Sequence, residues 1–166
     1  MTLQTDRLSL PLLAVAQAQK EMTHNEALAQ LDALVQPVVV AVAPPTVPVA
    51  PVAGQSWIVG SAAPGIWTGH DGALAVWTTG GWRFLAPLEG MTVWSLFDSM
   101  YFRRTSSVWA AGVLTGRTLV LDGVQIVGAR GAAITSPDGG ATVDAEARAA
   151  VVAVLERLRT HGLISS

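Results

Sequence analysis

The stretch "GIWTGHDGALAVWTTGGWRF" (residues 65–84) decides the fold of the larger part of this chain. It sets the runs "LAVWT" and "WRF", which are rich in β-branched and aromatic residues, between clusters of glycine, aspartate and threonine. Short runs of this kind between turn residues are typical of β-strands joined by tight turns. The stretch therefore predicts a hairpin in which Trp77 and Trp82 pack as a pair across the "TTGG" turn.

The same alternation of short strands and turns continues from Gly54 to about Arg130. Further runs of the same character follow one another along this region: "SWIVG", "TVWSLF", "MYFRR", "SVWAA", "TLVLD" and "VQIVGAR". All six tryptophans of the chain lie between residues 57 and 109. Strands spaced about ten residues apart predict a compact antiparallel sheet or a small barrel.

A helix is predicted before this region. The residues "THNE" (23–26) fit a capping box, in which Thr23 accepts from the backbone of Glu26 while the Glu26 side chain reaches back. One apolar stripe follows at helical spacing: Leu28, Leu31, Leu34 and Val35. We predict a helix over about 24–36, ended by Pro37. A helix this short is marginal alone in water, so its stripe must pack on another surface.

A second helix is predicted over about 145–161. Thr142 or Asp144 supplies its N-cap, and Gly162 stands where a left-handed residue is needed after its last turn. Its apolar stripe consists of Ala147, Val151, Val154, Leu155 and Leu158. The stripe lasts only two heptads, which is too short for an independent coiled coil but suits a short helical bundle in an oligomer.

Five prolines fall between residues 37 and 51. They exclude a helix and restrict any strand to an edge or to Val38–Val42, so polyproline-like extended chain is predicted. The fold class is therefore α+β. The segments are an amino-terminal segment with a short helix (1–36), a proline-rich spacer (37–53), a Trp-rich antiparallel β module (54–130) and a carboxyl-terminal helical segment (131–166).

The composition is poor in charge: 51% of the residues are hydrophobic and 13% are charged, against about 25% charged in a typical domain. Such a chain is expected to bury surface against copies of itself or within a larger assembly. The basic residues are scattered, with Arg103–Arg104 the only adjacent pair, which argues against nucleic-acid binding. The prolines interrupt the most apolar region, and the first residues make a poor signal peptide, so we expect cytoplasmic synthesis without membrane insertion.

The sequence contains no constellation typical of an enzyme. His24, His70 and His161 have no metal-ligand partner at suitable spacing, and the absence of cysteine excludes thiolate ligands. The "GHDG" run at 69–72 is typical of a β-turn rather than of a proton shuttle. We therefore predict no catalytic residue, no metal and no cofactor.

The tryptophans leave two interpretations open. Rings laid flat on a sheet stack against sugar faces, which would make Trp67, Trp77 and Trp82 a glycan-binding platform. A small β module also needs large rings to build a core at all. Trp67 lies between Gly65 and Gly69, closest to a loop, and is the first candidate for an exposed ring; Trp77 and Trp82 are expected to pack together.

The run "LSLPLLAVAQAQKEMTHNEALAQLDALVQ" (8–36) resembles the opening of a family of unknown function found in alphaproteobacterial phages, prophages and gene transfer agents. It matches at most positions between Gln17 and Gln36, with Ala16 where the family usually has glycine and Glu21 where it usually has histidine. The block from "PVAGQSW" to "LEGMTVW" (51–94) is similar to the family's Trp- and Gly-rich second hallmark. The final helix is also similar to that of many members.

This resemblance implies a virion component, a tail fibre of a phage-like particle assembled in the bacterial cytoplasm. Fibres are commonly trimers, so a homotrimer is expected. The amino-terminal segment would dock on other tail or baseplate proteins through Leu28, Leu31, Leu34 and Val35, and the β module would contact host surface polysaccharide. The alternatives are a head spike or a connector or decoration protein without a ligand, and a carbohydrate-binding accessory module.

Overall fold

The structure, a computed structural model, describes residues 3–14 and 20–165. The chain divides into two compact units, one up to Val113 and the other from Leu114 onward. The first unit contains helix α1 (Lys20–Leu34) and strands β1 (Val38–Val39), β2 (Ser56–Ile58), β3 (Leu74–Thr78), β4 (Gly81–Leu85), β5 (Thr92–Ser95), β6 (Met100–Arg104) and β7 (Trp109–Ala111). The second contains β8 (Leu119–Leu121), β9 (Val124–Val127) and α2 (Ala145–Thr160). These elements confirm the predicted α+β class.

The hairpin predicted from residues 65–84 is present. Strands β2, β3 and β4 form an antiparallel sheet in chain order, and Trp77 pairs directly with Trp82 across the β3–β4 turn. Strands β2 and β3 are buried on both faces: Ser56 to Val59 and Ala73 to Val76 are buried without interruption. These two strands therefore lie in the centre of the first unit.

A second sheet has the order β1-β5-β6-β7, with β1 parallel to β5 and the remaining pairs antiparallel. Segment 37–43 hydrogen-bonds on both of its sides. Leu96 donates its backbone N–H to the carbonyl of Val39 at 2.9 Å, and Val40 donates to the carbonyl of Ser56 at 2.8 Å. The segment therefore connects the two sheets, and the Val39 side chain is fully buried.

This arrangement differs from the extended spacer predicted over 37–53. The first part of that segment enters the ladders because residues 38–43 keep the backbone N–H groups that prolines lack. Four of the five prolines, from Pro44 to Pro51, come after this part. The strand therefore lies within Val38–Val42, one of the two places that the prolines leave open to a strand.

Helix α1 begins earlier than predicted. It starts at Lys20, so Thr23 is an exposed residue inside the helix and the predicted capping box is wrong. The Glu26 side chain is held elsewhere, by Arg83 of β4. Residues 15–19, which contain Ala16 and Gln17 of the family hallmark, lie outside the described residues. The helix ends near Pro37 as expected, and Arg7 donates to the free carbonyls of Val35 and Gln36.

The underside of α1 holds the amino-terminal segment through a buried carboxylate. Asp32 is buried and accepts hydrogen bonds from the Thr5 hydroxyl at 2.8 Å and from the backbone N–H groups of Arg7 at 2.9 Å and Leu8 at 2.6 Å. The neighbouring Ala33 packs into the core with Val39, Ile58 and Leu74, among others. One turn of α1 thus carries both a polar anchor and an apolar contact.

Asn25 holds the amino-terminal segment at a second point. Its amide accepts from the backbone N–H of Leu13 at 2.9 Å and donates to the carbonyl of the same residue at 3.0 Å. The Asn25 amide thus satisfies both the N–H and the carbonyl of Leu13, as the backbone of a neighbouring β-strand would. Asn25 and Asp32, two polar residues of "THNEALAQLDALVQ", therefore hold this segment in place.

In the second unit, strands β8 and β9 form an antiparallel hairpin. The Asp144 side chain accepts from the backbone N–H of Ala147 at 2.9 Å, which confirms it as the N-cap of α2. Gly162 has a φ of 71°, and Leu163 donates its N–H to the carbonyl of Leu158 at 2.9 Å, as expected for a left-handed helix end. Leu155 is the only buried member of the predicted stripe. Because the first unit ends at Val113, strands β8 and β9 belong to the same unit as α2.

Replacing Asp32 by alanine tests the anchor. The Asp32→Ala variant leaves three donors without their acceptor, so we expect unit 1 to lose on the order of 3 kcal/mol of unfolding free energy. Urea unfolding followed by tryptophan fluorescence measures this, since all six tryptophans lie in that unit. Glu89→Ala, at an exposed residue, is the control. A loss of less than about 1 kcal/mol for Asp32→Ala would show that the carboxylate is dispensable.

Candidate functional site

Four of the six tryptophans form one cluster on the β2-β3-β4 sheet, with Trp82 at its centre. The ring centroid of Trp82 is 5.1 Å from that of Trp77 and 5.3 Å from that of Trp67. The Trp57 ring is 5.5 Å from the same centre. The rings meet edge-on, an arrangement that stabilises aromatic pairs beyond simple burial. The cluster is therefore a second hydrophobic core, and the predicted pairing of Trp77 with Trp82 is confirmed.

Trp67, expected to be the first exposed ring, is instead fully buried. Its segment, Gly65–Trp67, forms a 3-10 turn, and Gly65 and Gly69 adopt positive φ angles of 65° and 82°. These glycines let the loop fold back over the sheet, so the indole inserts beside Trp82. The expectation of exposure is therefore wrong, and the ring is unavailable to an external ligand in this structure.

Half-buried rings continue along the outer side of this cluster. Trp82 and Phe84 lie on one side of β4 with their rings near parallel at 6.4 Å. The His70 ring stacks on Phe84 at 3.7 Å with an interplanar angle of 6°. His70 belongs to a tight turn, since Ala73 donates its N–H to the His70 carbonyl at 2.9 Å. Together with Trp77, these rings make a partly accessible aromatic face.

The most exposed aromatic surface lies at the β5–β6 turn, which sequence reasoning missed. We call its four apolar residues the tip: Leu96, Phe97, Met100 and Tyr101. Phe97 is 83% exposed and Tyr101 is 55% exposed. The turn is held by the Ser95 hydroxyl, which donates to Asp98 at 2.6 Å. The signal in the sequence is "SLFDSMY", where apolar residues flank the turn residues Asp98 and Ser99.

The four predicted docking residues do not fill the core. Leu28 is half-buried, whereas Leu31 is 51%, Leu34 36% and Val35 47% exposed. The buried residues of α1 are Glu21, Asp32 and Ala33, two of them acidic. The helix therefore buries two acidic side chains against its own unit and leaves apolar residues exposed near its carboxyl-terminal end. We call Leu31, Leu34 and Val35 the outer stripe.

A cavity of about 550 Å³ lies under the polar side of α1. Its walls come from the amino-terminal segment, α1 and the β3–β4 turn. At one wall, Arg83 Nε donates to both oxygens of Glu26 at 3.1 and 3.0 Å, and a terminal nitrogen lies 2.9 Å from Glu26 Oε2. These hydrogen bonds, followed by the charge of Arg83, lower the pKa of Glu26, although partial burial opposes them.

Two further observations concern the described residues as a whole. Over residues 3–14 and 20–165, no group of three or more His, Cys, Asp or Glu residues has the geometry to hold a metal ion. None of the helices described for the chain has the length and apolar character needed to cross a bilayer.

Comparison with known proteins places the chain in a family without an assigned function. The family model described as "Protein of unknown function (DUF2793)" matches residues 24–110, just over half of the chain, so the chain belongs to this family. The match runs from α1 into β7 and includes Asp32, the tryptophan cluster and the tip. No curated protein matches the chain. The family description names neither an activity nor a source.

Trp67 should be a stability determinant. Trp67→Ala removes a fully buried indole, so we expect a loss of about 3–5 kcal/mol in the unfolding free energy of unit 1. Chemical unfolding followed by the fluorescence of the remaining tryptophans measures it. Phe97→Ala, which removes an exposed ring, should change stability by less than about 0.5 kcal/mol. Equal effects of the two variants would contradict the assignment of Trp67 to the core.

The Glu26–Arg83 pair should make a small, pH-dependent contribution to stability. Because the folded-state pKa of Glu26 lies below its ordinary value of 4.5, the contribution is present above that value and is lost as pH falls through the folded-state pKa. Both side chains are partly exposed, so we expect at most about 1 kcal/mol at pH 7. Unfolding of Glu26→Gln, Arg83→Gln and the double variant at pH 7 and pH 3 measures it. A coupling between the two residues that is unchanged at pH 3 would contradict this account.

Proposed function

We propose that the chain is a structural protein of a phage-like particle, a tail fibre that docks through its amino-terminal segment and helps the particle attach to a host cell. The proposal takes its direction from the resemblance of residues 8–36 and 51–94 to proteins of phages and gene transfer agents. Membership of the family described above is consistent with it. Its physical support comes from the outer stripe and the aromatic surfaces of unit 1, and from the β8–β9 hairpin of unit 2.

The outer stripe of α1 is the observation that carries the proposal. Most helices of folded domains turn their apolar side to the core, whereas α1 turns Glu21 and Asp32 inward and Leu31 outward. Contiguous exposed apolar residues are typical of interaction surfaces. A tail or baseplate protein with an apolar groove would cover this stripe, with the underside of α1 already fixed by Asp32.

The tip and the half-buried aromatic face support contact with host polysaccharide. Phe97 and Tyr101 project from the β5–β6 turn, and Trp94 supports the Tyr101 ring edge-on at 4.8 Å. Exposed rings of this kind stack on the apolar faces of sugars. Trp77 and Trp82 remain in the proposal because their rings are only half-buried, whereas Trp67 contributes to the core.

The β8–β9 hairpin supports self-association. Its apolar residues are 40–61% exposed: Leu119, Val120, Leu121, Val124, Ile126 and Val127. Because neighbouring residues of a strand point to opposite faces, both faces of this hairpin are apolar. An isolated two-stranded hairpin is marginally stable in water. Copies of the same hairpin would cover one another, which fits the proposed homotrimer.

A connector or decoration protein without a ligand is the second candidate. Burial of the tryptophan cluster favours it, since the rings that suggested a glycan platform mainly stabilise the fold. Both candidates require the docking surface. They differ only in whether the tip and the half-buried rings bind sugar.

Charge placed on the outer stripe tests the docking. Leu31→Asp/Leu34→Asp should abolish incorporation of the tagged chain into particles purified from producing cells. Its melting temperature should stay within about 3 °C of the original, because both residues are solvent-exposed. Immunoblotting of sedimented particles against the cell lysate measures incorporation. Ser106→Asp/Ser107→Asp, which places two charges at exposed positions outside α1, should incorporate normally. Absence of the unaltered chain from every particle fraction would overturn the proposal.

A further inference from the structure

The cavity under α1 has the dimensions of a small-ligand site and is partly open to solvent. Its volume of about 550 Å³ lies within the range of pockets that hold small molecules. Residues 4–6 form one wall, the inward side of α1 forms the second, and residues 78–80 of the β3–β4 turn form the third. All three walls belong to unit 1, and none includes the outer stripe or the tip.

Glu21 gives this cavity an unsatisfied acceptor. Its side chain lines the cavity, and the residue is only 8% exposed. Its Oε2 atom is shielded from solvent and has no hydrogen-bond partner in the described part of the chain. Nearly all buried polar atoms of folded proteins have a partner, and a buried carboxylate without one is strongly unfavourable. A donor supplied by a ligand in the cavity would satisfy this oxygen once rotation of the Glu21 side chain turns it toward the cavity.

Among the described residues, several polar side chains that line the cavity together with Glu21 are engaged elsewhere. Asp32 is itself an acceptor and is saturated by the amino-terminal segment. Arg83, the one cation among the described residues that line the cavity, is engaged by Glu26 and by the Thr78 hydroxyl. Asn25 uses its amide on the backbone of Leu13.

The charged residues that line the cavity indicate which class of ligand it would bind. Four carboxylates line the cavity (Asp6, Glu21, Glu26 and Asp32), against the single guanidinium of Arg83. An anion would therefore be repelled and a cation attracted. No described cluster of ligands suits a metal ion, which leaves an organic cation with N–H donors. The side chains of Gln4 and Thr79 offer further polar contacts, since neither forms a hydrogen bond with a described residue.

We propose that this cavity binds an ammonium or guanidinium group, which donates to Glu21. The group has two sources: a free small amine, such as an amino sugar, or a lysine or arginine side chain of a partner protein. The proposal does not depend on particle docking, because its residues lie on the opposite side of α1 from the outer stripe.

Calorimetric titration of the full chain tests the site and separates the two sources. Glucosamine represents the free amine, with N-acetylglucosamine as its neutral match. Nα-acetyl-lysine methylamide represents a protein side chain, with its Nε-acetylated form as the neutral match. We expect at least one cationic probe to bind about tenfold or more tightly than its neutral match. Binding of glucosamine alone indicates a free ligand, binding of the lysine derivative alone indicates a partner side chain, and binding of both supports the shared chemistry.

Variants assign the binding to this cavity. Glu21→Gln should lower the affinity for the cationic probe about tenfold or more. The melting temperature should stay unchanged or rise, because the substitution removes an unpaired buried charge. Glu89→Gln is the matched exposed control. Thr79→Val, at an exposed turn, provides a second variant that keeps the fold and should weaken binding to a smaller extent. The proposal is overturned if neither cation binds, or if binding survives both Glu21→Gln and Thr79→Val.

Discussion

The buried carboxylate of Asp32 is the constraint on which the arrangement of unit 1 depends. A buried carboxylate is tolerated only when donors surround it, and the donors here are the Thr5 hydroxyl and two backbone N–H groups of the amino-terminal segment. Satisfying Asp32 therefore requires that segment to lie along α1 and α1 to turn its polar side inward. Ala33, next in the chain, then reaches the core that β1, β2 and β3 share. The orientation of the helix follows from one charge and its hydrogen bonds.

Turning the polar side of α1 inward creates two different surfaces on one helix. Outward, Leu31, Leu34 and Val35 form an apolar stripe suited to another protein. Inward, carboxylates border a cavity, and the buried Oε2 atom of Glu21 has no hydrogen-bond partner among the described residues. The proposed docking and the proposed cation site therefore share a cause, although they use opposite sides of the helix and are independently testable.

The aromatic residues divide in a similar way between stability and accessibility. Trp67 and Trp57 lie within the core, Trp77 and Trp82 lie at its margin, and Phe97 and Tyr101 project from a turn. The family match covers all of these rings and α1 from His24 onward. Asp32, the aromatic core and the tip therefore lie within the family match, whereas the donors to Asp32 precede it and the apolar hairpin and α2 follow it in the chain.

Local sequence determined the features that depend on neighbours along the chain. The pairing of Trp77 with Trp82 follows from a short turn between two strands, and the Asp144 cap and the Gly162 end of α2 follow from residues within one helical turn. Only the tertiary structure decided the burial of Trp67, the entry of residues 38–43 between two sheets, the start of α1 and the direction its stripe faces. Each of these depends on partners far away in the chain, such as Thr5 with Asp32 or Glu26 with Arg83. Spacing along a sequence reveals which residues share a face of a helix, but long-range hydrogen bonds decide which face is buried.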